Sequence, residues 1–277
     1  MSVYNISGVP LMRLSRLVML CAGAVAVNAC GSDKVTTPSI PPVAQVRFIN
    51  AVNDTGALDM RAMDQIAFSP VANNLAYRSG TVYFPTSVGS RHFRVFPTST
   101  NIAITSQIID DESVTLTAGT RVTLLLTGSA RAKTAKFVII SDDTQAPPAG
   151  SISVRMVNAS TGAVNGYLVN APADPLPGSA TFANVASFGT SSYVDKTAGA
   201  AQLRAADPTS GTVTASATGP AAPATLPGEF PPAGVGSSGT KFSVYYFPAG
   251  VAGSPTAAVT TPSLIWFVDR NPCDGGC

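Results

Sequence analysis

Histidine occurs once in this chain, at His92, glutamate only at Glu112 and Glu229, and lysine five times. One histidine excludes a multi-histidine zinc site. A Ser-His-Asp arrangement could use it, but no Gly-x-Ser-x-Gly elbow is present. The alternation Arg91-His92-Phe93-Arg94-Val95 instead puts His92 on the same strand face as Arg94, in solvent. Scarce Glu and Lys leave little material for charged helical surfaces. Charged residues make up 12% of the chain and form no block of one sign, which speaks against a nucleic-acid surface or a polybasic patch. Long apolar runs are also missing: Leu17 to Val27 is too short to span a bilayer comfortably.

What is present is turn-forming and β-prone. The chain has 24 Gly and 22 Pro among its 277 residues, with abundant Val, Thr, Ser and Ala, and 45% of it is hydrophobic. That composition fits an exported all-β protein with enough apolar material for two cores.

Arg13 and Arg16 precede the apolar run, which ends in Val27-Asn28-Ala29-Cys30. This is the layout of a secretory signal. With Cys30 after small residues, it resembles a bacterial lipoprotein signal, in which the cysteine is lipidated and becomes the mature N-terminus. Gly31-Ser32-Asp33 suits a tether, and because Asp does not directly follow Cys30 the resemblance points to the outer membrane. Removing Arg13 and Arg16 leaves basic and acidic residues equal in number, so the mature chain is neutral. Residues 30–43, with Pro38, Pro41 and Pro42, read as a disordered tether after a signal peptide over 1–29.

The body of the chain says its opening phrase twice. Val46-Arg47-Phe48-Ile49-Asn50-Ala51 returns as Val154-Arg155-Met156-Val157-Asn158-Ala159, 108 positions on. Thr55-Gly56-Ala57-Leu58-Asp59 is echoed by Thr161-Gly162-Ala163-Val164-Asn165. Gly89 with Phe93-Arg94 answers to Gly199 with Leu203-Arg204, and Gly119-Thr120-Arg121 to Gly239-Thr240-Lys241. Ile139, Ile140 and Asp142 answer to Phe267, Val268 and Asp269. The growing offset places the extra length of the second copy in Pro208 to Gly239, read as an irregular surface loop. Short strands between Gly/Pro turns then predict two tandem immunoglobulin-like β-sandwich domains, at 44–144 and 151–271. Residues 145–150 form a Pro-stiffened linker and 272–277 a Cys-containing tail. The apolar runs Val122–Leu126 and Phe137–Ile140 read as central strands covered on both faces.

These phrases resemble the bacterial domain-of-unknown-function family 4397. The resemblance covers nearly all of residues 44–270 and implies an exported or lipid-anchored protein with no catalytic residues to transfer. The second copy has Asn165 where the first has Asp59, so a role needing that carboxylate in both copies is not expected.

The remaining candidates divide between ligand chemistry and structure. Asp110-Asp111-Glu112 and Asp142-Asp143 could hold calcium, but without EF-hand spacing the plainer reading is solvated acidic turns. Arg47 with Arg155, and Arg94 with Arg204, recur at matching positions, and each reads as an outward strand arginine covering its sheet with its stem. Trp266, within Leu264-Ile265-Trp266-Phe267-Val268, reads as core. Cys273 and Cys277 are expected to form a small terminal disulfide after export. No catalytic residue, metal or cofactor is expected. The function read from the sequence is a non-enzymatic cell-envelope lipoprotein, structural or adhesive, membrane-anchored, with an extracellular glycan or protein as partner. An exported hydrolase with an unrecognised site is the alternative.

Overall fold

The computed structural model describes residues 41–64, 72–223 and 232–274. The regular structure there is nearly all strand, as composition and alternation led one to expect. In the first half, β1 (Val43–Asn50) lies between β4 (Phe84–Ser87) and β7 (Arg121–Thr127), with β8 (Lys136–Asp142) beyond β7. Its second sheet runs β3 (Ala72–Leu75), β2 (Leu58–Ala62), β5 (Gly89–Pro97), β6 (Asp110–Leu116). A one-turn helix, α1 (Ile102–Thr105), joins β5 to β6, with the Asn101 side chain capping its first turn.

The second half repeats this order strand for strand. One sheet runs β12 (Val194–Thr197), β9 (Ser151–Asn158), β15 (Lys241–Phe247), β16 (Ser263–Arg270). The other runs β11 (Phe182–Val185), β10 (Val164–Val169), β13 (Gln202–Ala206), β14 (Val213–Thr218). In both halves the opening strand is parallel to the seventh, Phe48 facing Leu124 and Met156 facing Val244. All other pairings are antiparallel. The sandwich expectation holds, but this order is not that of an immunoglobulin domain, whose two sheets run ABED and CFG. β14 also occupies part of the stretch expected to be an irregular loop.

Period-2 alternation assigns the faces. In β1, Ala44, Val46 and Phe48 enter the first core with Leu58, Met60, Phe93, Leu124 and Leu126. In β9, Ile152, Val154 and Met156 enter the second with Leu203, Phe242, Val244 and Leu264. The opposite faces of the same strands do not meet water. Ile49, Leu125 and Ile140 from one half pack on Val157, Tyr245 and Phe247 from the other as a third core. The body formed by β1 to β16 is therefore four layers deep, with the β1 and β9 sheets back to back in its middle.

This explains the unbroken apolar runs. β7 and β15 are buried along their lengths because each is covered on both faces. β8 corrects the expectation made for it: it is an edge strand, with Ile139 exposed.

The repeated glycines mark backbone that other residues adopt at a cost. Gly119 and Gly239 both precede the seventh strand of their half at positive φ, +72° and +88°.

Candidate functional site

The middle of the molecule holds charge as well as apolar surface. Arg47 and Arg155, expected to point outward, are 2% and 4% exposed. The correction follows from the third core: the face that alternation assigns to them is covered by the other half. Arg47 Nη2 donates to Asp269 Oδ1 at 2.7 Å and to Thr123 Oγ1 at 2.9 Å, and Nη1 donates to the Val268 carbonyl at 3.1 Å. Arg155 does the same in reverse, pairing with Asp142 and donating to Ser243 Oγ at 2.7 Å and to the Ser141 carbonyl at 3.1 Å.

The hydroxyls close the circuit. Thr123 Oγ1 donates to Asp142 Oδ2 at 2.6 Å, and Ser243 Oγ donates to Asp269 Oδ2. The result is a ring: Arg47, Thr123, Asp142, Arg155, Ser243, Asp269 and back to Arg47. Tyr83 caps Asp142 at 2.6 Å and Tyr193 caps Asp269 at 2.8 Å. Each tyrosine ring also stacks on its own half's arginine, at 4.5 and 4.7 Å. Each arginine takes its carboxylate from the opposite repeat, so the contacts are reciprocal.

Two cations and two anions balance inside the ring, and charge-assisted bonds satisfy them. Burial still leaves its mark. Desolvation raises the Asp142 carboxyl above the ordinary carboxylate range, reinforced by Asp269 and opposed by Arg47 and Arg155. Burial likewise pushes the Tyr83 and Tyr193 phenols well above their usual value. Tyr245, where the first half has Leu125, breaks the reciprocity. Its hydroxyl is fully buried without a hydrogen-bond partner, and burial pushes its pKa up to about 12.

The repeat motif's asparagine has a different task. Asn50 donates to the Leu75 carbonyl and accepts from Val52 N. Asn158 donates to the Gly162, Val185 and Ala186 carbonyls and accepts from Ser160 N. Both tie the end of the opening strand to the turn beside it. The Asp59–Asn165 exchange is explained similarly. Asp59 accepts from Asn74 N and Asn165 from Asn184 N, where either a carboxylate or an amide oxygen suffices. Both recipients, Asn74 and Asn184, sit at positive φ.

The other candidates are scattered. His92 lies on the outer face of the β5 sheet as expected, against Asp111, which also takes Arg94 at 2.6 Å. The acidic triplet is not a turn but the start of β6, where Asp110 accepts from Phe137 N. Nor is Asp142 solvated, while Asp143 pairs with Lys241 across the repeats. Arg204 is half-buried and donates to the Ala171, Pro172 and Asp174 carbonyls. Trp266 packs edge-on against Phe242 and donates to the Ala217 carbonyl at 3.2 Å. No group of three or more His, Cys, Asp or Glu among the described residues could hold a metal. Cys273 is disulfide-bonded, and Cys277, its expected partner, lies outside the described residues, as does Cys30.

Two clefts flank the seam between the halves. One, about 520 Å³, runs along the side past Gln45, Tyr83, Arg121, Phe267 and Asn271. Its aromatic walls are already occupied: Arg47 and Arg121 stack on Tyr83, and Phe267 packs on Tyr245. The other, about 550 Å³, opens at the far end of β1 from Val43 and is lined from both halves. Sequence reasoning found neither. The pairing of Arg47 with Arg155 and of Asp142 with Asp269 was visible, and the double-sided burial of Val122–Leu126 was the signal that their face is covered.

Fold and seam define a tandem, strand-for-strand duplicated β-sandwich protein whose repeats share a buried polar ring. Residues 44–167, from β1 through β9 into β10, match the model of the family described as "Domain of unknown function (DUF4397)". No curated protein matches. Among solved structures, one from a study of α-glucan binding by a streptococcal virulence factor is 16% identical, covering 61% of this chain and 83% of its own, with a TM-score of 0.22. A Bacteroides fragilis structure provisionally assigned to cell adhesion is 9% identical, covering 81% and 97%, with a TM-score of 0.18. At these scores neither carries an argument about this chain.

Proposed function

We propose that this chain is a non-enzymatic cell-envelope lipoprotein that displays its two sandwiches as one rigid ligand-binding or adhesive body. The observation that carries this reading is the closed Arg–Asp ring. It commits four buried charges, Arg47, Arg155, Asp142 and Asp269, to joining the repeats. Charges fixed in a seam fit a part whose task is to hold a surface in place, since an acid–base site needs groups that reach a substrate. Anchorage through Cys30 rests on the signal-like N-terminus.

The test has two arms. Mature protein from cells should partition into detergent, and Cys30→Ser should release it or leave it uncleaved; unchanged partitioning would remove the anchor from the account. The purified chain should turn over no substrate in a panel for esterases, proteases and glycosidases. Turnover lost specifically in His92→Ala, with the fold preserved by circular dichroism, would favour the hydrolase alternative.

A further inference from the structure

The cleft at the far end of the seam is where the likeness of the two halves breaks down. Arg78 and Phe188 occupy matching positions, and both hold left-handed backbone, at φ +67° and +55°. Their surroundings differ. The second half's β15–β16 loop is long, and Tyr77 and Arg78 pull it onto the first half through the Pro248 and Thr261 carbonyls. Asn53 holds the same loop through the Ala249 carbonyl at 2.8 Å. The first half's β7–β8 loop is short and offers Phe188 no such cover. Phe188 instead lines the 550 Å³ cleft with Lys136, Thr127, Ser160 and Thr161.

We propose that this cleft is a saccharide site taking an anionic sugar, its ring against Phe188 and its carboxylate at Lys136. This deepens the display reading above and rests on it. Four properties point the same way. The volume lies within the range of about 300–1,000 Å³ usual for ligand clefts. The polar lining is mostly hydroxyl. The hydroxyls of Thr127, Ser129 and Ser160 donate inward and can accept from a sugar, while those of Thr134 and Thr161 donate to no described group and can donate to it. The only ionisable residue lining it is Lys136, and neither its Nζ nor Thr161 Oγ1 has a hydrogen-bond partner among the described residues. The aromatic wall is also rigidly held. Asn158 grips the Val185 and Ala186 carbonyls, and Phe188 N donates to the Ser160 carbonyl, so the turn bearing the ring is fixed before a ligand arrives.

The experiment uses the full chain in detergent micelles and saturation-transfer NMR, with a galacturonate trimer and a neutral galactose trimer as probes. Saturation should reach the galacturonate trimer, with the neutral trimer binding about tenfold more weakly. Lys136→Met should cost the acidic trimer about tenfold in affinity while leaving the neutral one unchanged. Phe188→Gly should weaken both trimers without lowering the unfolding midpoint, because glycine relieves the backbone while removing the ring. A ring that served only packing would lower the midpoint, and that result overturns the assignment. Absence of saturation, equal binding by both variants, or displacement by equimolar inorganic phosphate overturns it as well. A glycan array separates this from the broader reading. Glycans retained equally by wild type, Lys136→Met and Phe188→Gly would overturn the cleft and leave ligand display standing.

Discussion

Removing Arg47 strips the buried ring of one cation and leaves Asp269, 1% exposed, with only the hydroxyls of Tyr193 and Ser243. Breaking a buried pair by removing one partner costs about 3–5 kcal/mol. For a body of this size each kcal/mol moves the melting temperature by about 2–4 °C, so Arg47→Met should melt roughly 6–20 °C lower. The assay is thermal and urea unfolding, read by far-UV circular dichroism and by the fluorescence of Trp266. That tryptophan is the chain's only one and sits three positions from Asp269 on β16. Arg94→Met is the control. It breaks a pair with the part-exposed Asp111, in which both side chains meet solvent, and should cost under about 1 kcal/mol. Adding Asp269→Asn to Arg47→Met should restore part of the loss, since the orphaned charge goes with it. Equal costs for Arg47→Met and Arg94→Met would refute the reasoning, because burial would then have made no difference.

Acid should act in two phases. Asp142 has a folded pKa above its unfolded value, so the folded state takes up its proton first and stability holds or rises as pH falls from neutral toward ~4. Asp111, Asp143 and Asp274 are held low by hydrogen bonds and by Arg94, Lys241 and Arg121, so their contribution is present above ~4 and lost below it. Urea midpoints across pH should show a plateau or rise and then a collapse, and Asp142→Asn should flatten the first phase. Gly80→Ala should cost about 1–3 kcal/mol, since its Cβ would stand 2.8 Å from Phe267 Cε1 and 2.9 Å from Ile49 Cγ1. Thr190, which takes the matching bridge position opposite Val157, is exposed, so Thr190→Ala should be nearly neutral in the same unfolding assay.

The duplication, the sandwich class and the face of nearly every core residue could be read in the sequence, because period-2 alternation and repeated glycines are local signals. Arg47 and Arg155 were misplaced for a physical reason. Alternation says which side chains share a face, not whether that face meets water, and the covering surface lies more than a hundred residues away. β6 was missed because Asp110, Asp111 and Glu112 have low strand propensity. The ladder to β5 overrides it: Asp110 turns inward onto Phe137 N, and Asp111 turns outward between His92 and Arg94. The cleft was invisible because it arises from the unequal lengths of two loops that meet only after folding.

Native-state hydrogen exchange resolved by residue tests most directly whether the two repeats are one cooperative body. Amides of β1 and β7 should exchange through the same global opening as those of β9 and β15, with one free energy and one urea dependence, and Arg47→Met should lower all of them together. Protection lost in one repeat while the other stays fully protected would contradict the account, showing two independent domains with an incidental seam.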